Sequence, residues 1–176
     1  MLIYDILKQE HQEVKALLNE LISLKNDDEY RFVLVEEIKN ALIPHSRAEE
    51  ATLYNTLRAV DADKSIVAHG FKEHLEAESL LRLLEAKDKV NFDWKATAKK
   101  LKEALDHHIK EEETEIFAEA RKMFSNEEAE TIGKTFLELK PKYVGEGTFK
   151  SAADFVVNSL PPRLANSIRG FDSTKH

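Results

Sequence analysis

Apolar residues recur every three or four positions along most of this chain, the spacing of one face of an α-helix. Ile3, Leu7, Val14, Leu18 and Leu21 mark a first helix over about Leu2–Leu24, and "KNDDEY" reads as a turn. A second helix covers roughly Tyr30–Arg58. Pro44 falls inside it and, lacking an amide donor, should kink or restart it. "VDADKS" is the next turn, a third helix runs over about Ser65–Ala86, and "KDKVNFD" connects it to a fourth. That helix is expected to start near Asp93, a suitable N-cap, and to end at Met123. Four long amphipathic helices with short connections predict an all-α, up-down-up-down four-helix bundle over residues 1–124.

Beyond it, Ser125 or Asn126 should cap a fifth helix, "PKYVGEG" is a loop, and "SLPPRLANSIRGF" a short helix docked by Leu160, Leu164 and Ile168. Residues 125–176 are therefore expected to form a C-terminal helical extension packed on the bundle. It would cover one end of the bundle or offer a face to a protein partner or a second copy.

A repeat runs through the pattern. "HSRAEE" (His45–Glu50) and "HIKEEE" (His108–Glu113) are 63 residues apart, and each places a histidine four residues before a glutamate. The same offset carries Leu53 to Ile116, Tyr54 to Phe117, His11 to His74, Glu10 to Glu73 and Leu18 to Leu81. The bundle thus reads as one helical hairpin used twice about a pseudo-two-fold axis, which would bring equivalent histidines toward a shared centre.

Composition narrows the chemistry. Gly (5) and Pro (4) are scarce among 176 residues rich in strong helix formers. The net charge of -7 argues against nucleic acid and anionic membranes as partners. With no cysteine, disulfides, thiolate nucleophiles and cysteine-bound clusters are excluded. No apolar run is long enough to span a membrane, and the N-terminus lacks a signal pattern, so a cytoplasmic location is expected.

Residues four apart share a helix face, so His45 with Glu49 and His108 with Glu112 point into one space. The apolar stripe through Trp94 and Leu101 carries the second pair toward the bundle centre. Buried histidines and like-charged carboxylates need partners, and bound cations supply them. His11, His45, Glu49, His74, His108 and Glu112 are the candidate metal ligands. Glu50 and Glu113 turn away by one position and are expected as surface or outer groups. His107 lies off the ligand face, and its counterpart is Pro44. His69 is turned away from His74, His176 is terminal, and Glu78 maps onto Lys15. Tyr4, Tyr54 and Phe117 are expected in the core. A helical domain whose histidines bind nothing is the competing reading.

The ordered set of His11 in "KQEHQEV", "HSRAEE", His74 in "FKEHLEAE" and "HIKEEE" resembles hemerythrin-like proteins with the HHE cation-binding domain, over about residues 1–124. The resemblance implies a non-haem di-iron centre, two Fe ions per chain. Glu49 and Glu112 would bridge them, with His45 and His74 on one ion and His11 and His108 on the other. Oxygen carriers of the family have an extra histidine where this chain has Gly70, and an aspartate where it has Glu112. The likeness is thus to His4Glu2 members, with space for a small molecule expected beside Gly70. The implied function is binding of, or reaction with, oxygen, peroxide or nitric oxide, with peroxide- or oxygen-reducing turnover left open. An iron-responsive or iron-donating interaction module is the alternative.

Overall fold

The computed structural model describes residues 1–60, 63–86, 93–144 and 151–173. The "KDKVNFD" connection up to residue 92, parts of "VDADKS" and "PKYVGEG", and His176 lie outside them. Helix α1 spans Ile3–Ser23 and α2 Arg31–Glu49. A π-helical segment, Glu50–Tyr54, carries α2 into α3, Asn55–Ala59. Helix α4 spans Lys64–Glu85 and α5 Trp94–Glu111; a second π segment, Glu112–Ile116, leads into α6, Phe117–Met123. The extension holds α7 (Asn126–Leu139), a 3-10 turn (Lys140–Tyr143), α8 (Ala152–Ser159) and α9 (Pro162–Ser173).

Local chemistry sets the boundaries. Asp63 caps α4 by accepting from the Ser65 amide, and Asp93 caps α5 by accepting from the Ala96 amide. Ser125, not Asn126, caps α7, in a reciprocal box with Glu128. Pro44 does not restart the helix; α2 passes through it. The departure from regular helix comes after Glu49 instead, and a matching one follows Glu111 in the second hairpin. Single π turns inside α-helices recur at functional sites.

Helices α1, α2, α4 and α5 pack in a ring, α1 on α2, α2 on α4, α4 on α5 and α5 on α1, which is the expected bundle. Two apolar clusters fill it. One holds Leu18, Leu21, Leu34, Ile38, Leu81, Trp94 and Leu101. The other holds Leu7, Leu53, Leu57 and Phe117 together with Ile132, Phe136, Val156 and Leu164 of the extension. The extension therefore shares a core with the bundle and is not a separate globule. Leu160 and Leu164 are buried and Ile168 packs against that cluster, as the apolar spacing predicted. Each fully buried Leu or Ile contributes about 1.5–3 kcal/mol. Between the two clusters lies a polar layer.

Candidate metal centre

The polar layer is built from the repeat. His11 comes from α1, His45 and Glu49 from α2, His74 from α4, His108 from α5 and Glu112 from the second π segment. None of the six is more than 5% exposed, and both glutamates are fully buried. The i,i+4 spacing sets His45 Nε2 3.6 Å from Glu49 Oε2 and His108 Nε2 4.0 Å from Glu112 Oε2. Across the bundle, His74 Nε2 is 3.3 Å from Glu49 Oε2 and His11 Nε2 is 3.1 Å from Glu112 Oε2. All six predicted residues converge.

Their pairing differs from the one the resemblance implied. His74 and His108 approach with Nε2 atoms 3.0 Å apart, and the rings of His11 and His45 stand edge to face at 5.2 Å. Each helical hairpin thus brings its own two histidines together. Either pairing obeys the pseudo-two-fold; the one within hairpins follows from packing, since α1 lies most extensively on α2 and α4 on α5.

Every one of the four imidazoles is held from behind by a carboxylate. Nδ1 of His11 donates to Glu113 (3.0 Å), that of His45 to Glu10 (2.8 Å), that of His74 to Glu50 (3.0 Å) and that of His108 to Glu73 (2.9 Å). These contacts obey the same 63-residue offset, Glu10 with Glu73 and Glu50 with Glu113. Glu50 and Glu113 are the outer groups expected, while the roles of Glu10 and Glu73 escaped the sequence reading. Their signal was present, since both precede a ligand histidine by one residue in each repeat. With the proton on Nδ1, a neutral imidazole turns its Nε2 lone pair inward.

Left to protein groups alone, the interior is not satisfied. Both oxygens of Glu49, Oε2 of Glu112 and Nε2 of His11 are buried without a hydrogen-bond partner. Two inward lone pairs 3.0 Å apart on His74 and His108 repel unless a proton or a metal ion lies between them. Two nitrogens about 2.1 Å from one cation and at right angles to each other are about 3 Å apart. Burial and the adjacent Glu112 charge push Glu49 well above the usual carboxylate range. Burial acts on Glu112 in the same sense, but Glu49 and His11 outweigh it and hold Glu112 well below that range. Burial takes His45 down to about 4 against the pull of Glu10, and lowers His74 against Glu50. His11 is raised, burial being outweighed by Glu112 and Glu113. Burial thus favours neutral imidazoles at His45 and His74, while Glu49 retains a proton that a cation would displace. Donor set and orphaned atoms both fit a cation centre.

The position that a Gly70 side chain would take is filled by Tyr54, although Gly70 also lines an open cleft of about 350 Å³. A Cβ added at Gly70 would lie 2.8 Å from the ring and hydroxyl of Tyr54. That ring is buried among the apolar residues expected for it, but it also lies flat on His74. Its hydroxyl is 3.4 Å from Glu112 Oε1. Among the four histidines the free space is a cavity of about 10 Å³, also bounded by Val14, Leu42, Leu105 and Ile109. That is close to the volume one water needs.

The extension reaches the centre from behind. Lys140 Nζ is 2.8 Å from the second oxygen of Glu10, and Phe136 packs edge-on against His45. Of the other candidates, His107 and His69 are exposed and stay out of the polar layer, as expected. Glu78 pairs with Arg47 and Arg82. Tyr4 and Phe117 pack together in the core.

The family described as Hemerythrin HHE cation binding domain matches residues 2–120. The chain belongs to that family of metal-binding helical bundles. A protein of Nostoc sp. (strain PCC 7120) named DNA nickase is 27% identical over 142 residues, 81% of this chain but 40% of that protein. The chain thus spans well under half the length of that relative. The solved structure of a hemerythrin HHE cation binding domain-containing protein from Mycobacterium kansasii superposes with a TM-score of 0.71 at 21% identity. It covers 95% of this chain and 99% of the other, a likeness of fold. Among the described residues, no helix is long and apolar enough to cross a membrane.

Proposed function

We propose that residues 1–124 hold a non-haem di-iron centre, two ions per chain, and that the protein binds or reacts with oxygen, peroxide or nitric oxide. Glu49 and Glu112 would supply carboxylates to both ions, and His11 with His45 and His74 with His108 would hold one each. The observation that carries this reading is the convergence of four carboxylate-backed imidazoles on two buried glutamates whose oxygens lack partners. Iron suits a carboxylate-bridged pair because it cycles between ferrous and ferric states and can pass electrons to oxygen or peroxide.

The protein's own part is positional. The outer carboxylates fix each imidazole with Nε2 inward and raise its basicity as a ligand. Tyr54 faces Glu112 with its hydroxyl and closes the Gly70 side. Val14, Leu42, Leu105 and Ile109 line the remaining space, which has room for about one water-sized molecule. Residues 125–176 buttress the His45 side through Lys140 and Phe136. The nicking activity in the cyanobacterial relative's name is not part of this reading, since the chain carries a net charge of -7 and a polyanion favours basic surfaces.

Stopped-flow spectroscopy of the ferrous-loaded protein tests the proposal. Rapid oxidation in air, nitric oxide binding by the ferrous form, and azide binding and peroxide consumption by the ferric form are expected. Reversible uptake of oxygen, released under vacuum, would make it a carrier. Silence toward all of these would favour the iron-donating module.

A further inference from the structure

Outside the interior layer, α4 and α5 present a second group of ligand-type side chains. His69 and Glu73 are one helical turn apart on α4, and His107 and Glu111 one turn apart on α5. Their ligand atoms all lie within 4.8 Å of one another. His69 Nε2 is 3.5 Å from Glu73 Oε1 and 3.3 Å from Glu111 Oε2. His107 Nε2 is 3.3 Å from Glu111 Oε1 and 3.9 Å from Glu73 Oε1. The histidines are about half exposed, at 49% and 60% of the side chain, so the group opens to solvent. A cleft of about 350 Å³ lined by His69, Glu73 and Glu111 adjoins it.

The repeat supplies an independent reason to expect a cation there. Glu73 and its counterpart Glu10 each use Oε2 to hold an interior histidine, His108 and His45. Glu10 offers Oε1 to the ammonium of Lys140. Glu73 Oε1 faces His69 and His107 instead. Counterparts of the other three surface residues are Ile6, Pro44 and Ala48, so the first hairpin has no such cluster and neutralises its glutamate with a lysine.

We propose that His69, Glu73, His107 and Glu111 form a surface site for one divalent transition cation, which takes at Glu73 the place that Lys140 takes at Glu10. Two imidazoles and two carboxylates on adjacent helical turns suit a four-coordinate borderline cation such as Zn²⁺ or Fe²⁺. The site staples α4 to α5 and shares Glu73 with the interior ligand His108. It stands on residues separate from the interior six and does not depend on which metal fills them.

Equilibrium dialysis of the full-length, iron-loaded protein against Zn²⁺ tests this, with metal analysis of both elements. Wild type should bind one zinc more than a His69→Ala/His107→Ala variant, and in that variant the affinity for this ion should fall at least tenfold. Its interior iron content and ferric absorption should match wild type. Both histidines are exposed, so the variant should fold, which circular dichroism would verify. Equal zinc binding by wild type and variant, or no zinc bound by either, would overturn the proposal. Loss of interior iron in the variant would overturn the assignment of these residues to a separate site.

Discussion

The ring of Tyr54 lies parallel to that of His74, with centroids 5.4 Å apart and planes within 5°. This stack occupies the space that Gly70 leaves on α4. Glycine at that position is therefore a fit between backbone and ring. Replacing Gly70 with alanine should destabilise the metal-free protein by about 1–3 kcal/mol through overpacking, despite alanine's better helix propensity. In a Tyr54→Leu background the same change should be neutral or stabilising by up to ~1 kcal/mol. A double-mutant cycle from denaturant melts measures this; additive effects would show that the ring does not set the constraint.

The four outer carboxylates should matter to the centre though none reaches it. Glu10→Gln and Glu73→Gln keep the shape but weaken the hold on His45 and His108. Each should lower metal affinity by roughly 10–100-fold. Competition with a chelator of known affinity is the measurement. Removing Lys140, whose ammonium pairs with Glu10, should have a smaller effect in the same direction.

How much of this was legible in the sequence follows from periodicity. The helical spacing and the 63-residue offset predicted the bundle and the six converging residues, because a face repeated every three to four positions dictates what meets inside. The pairing of histidines was not legible in spacing alone; it depends on which helices are neighbours across the axis. The π turns after Glu49 and Glu111 left no propensity signal, since the residues there are ordinary helix formers. Tyr54 was expected in the core and is there, but its contact with Gly70 joins two helices and had no local mark. The surface histidines had an i,i+4 glutamate each, a signal hidden by their lying off the ligand face.

Proton release should accompany metal uptake. Glu49 is held well above the usual carboxylate range by burial and Glu112, and His11 is raised as well, so both retain protons toward neutral pH that a cation must displace. Affinity should therefore rise with pH, and titrations in buffers of different ionisation enthalpy should show protons leaving. Uptake without proton release would contradict the electrostatic description.

The docking of α9 should weaken in acid. Arg163 donates from Nε and Nη2 to the two oxygens of Glu128, each at 2.7 Å, and from Nη2 to the Met123 carbonyl. Arg163, together with the bonds to Ser125, lowers Glu128 below its ordinary value. A carboxylate depressed in the folded state stabilises above its unfolded value and loses that contribution as pH falls through the folded one. Arg163 is half exposed, so the pair is worth only about 0.5–1 kcal/mol. The stability gap between wild type and Arg163→Ala should be of that size at pH 7 and narrow toward pH 3. A gap independent of pH would assign the effect to packing alone.

The central claim is a two-ion interior centre built from His11, His45, Glu49, His74, His108 and Glu112. Iron analysis of the aerobically loaded His69→Ala/His107→Ala variant, in which the surface cluster is disabled, tests it most directly. The account predicts two iron ions per chain with a ferric absorption band, and loss of that band and of iron when Glu112→Ala is added. One ion per chain, or two ions that survive the Glu112 change, would contradict it.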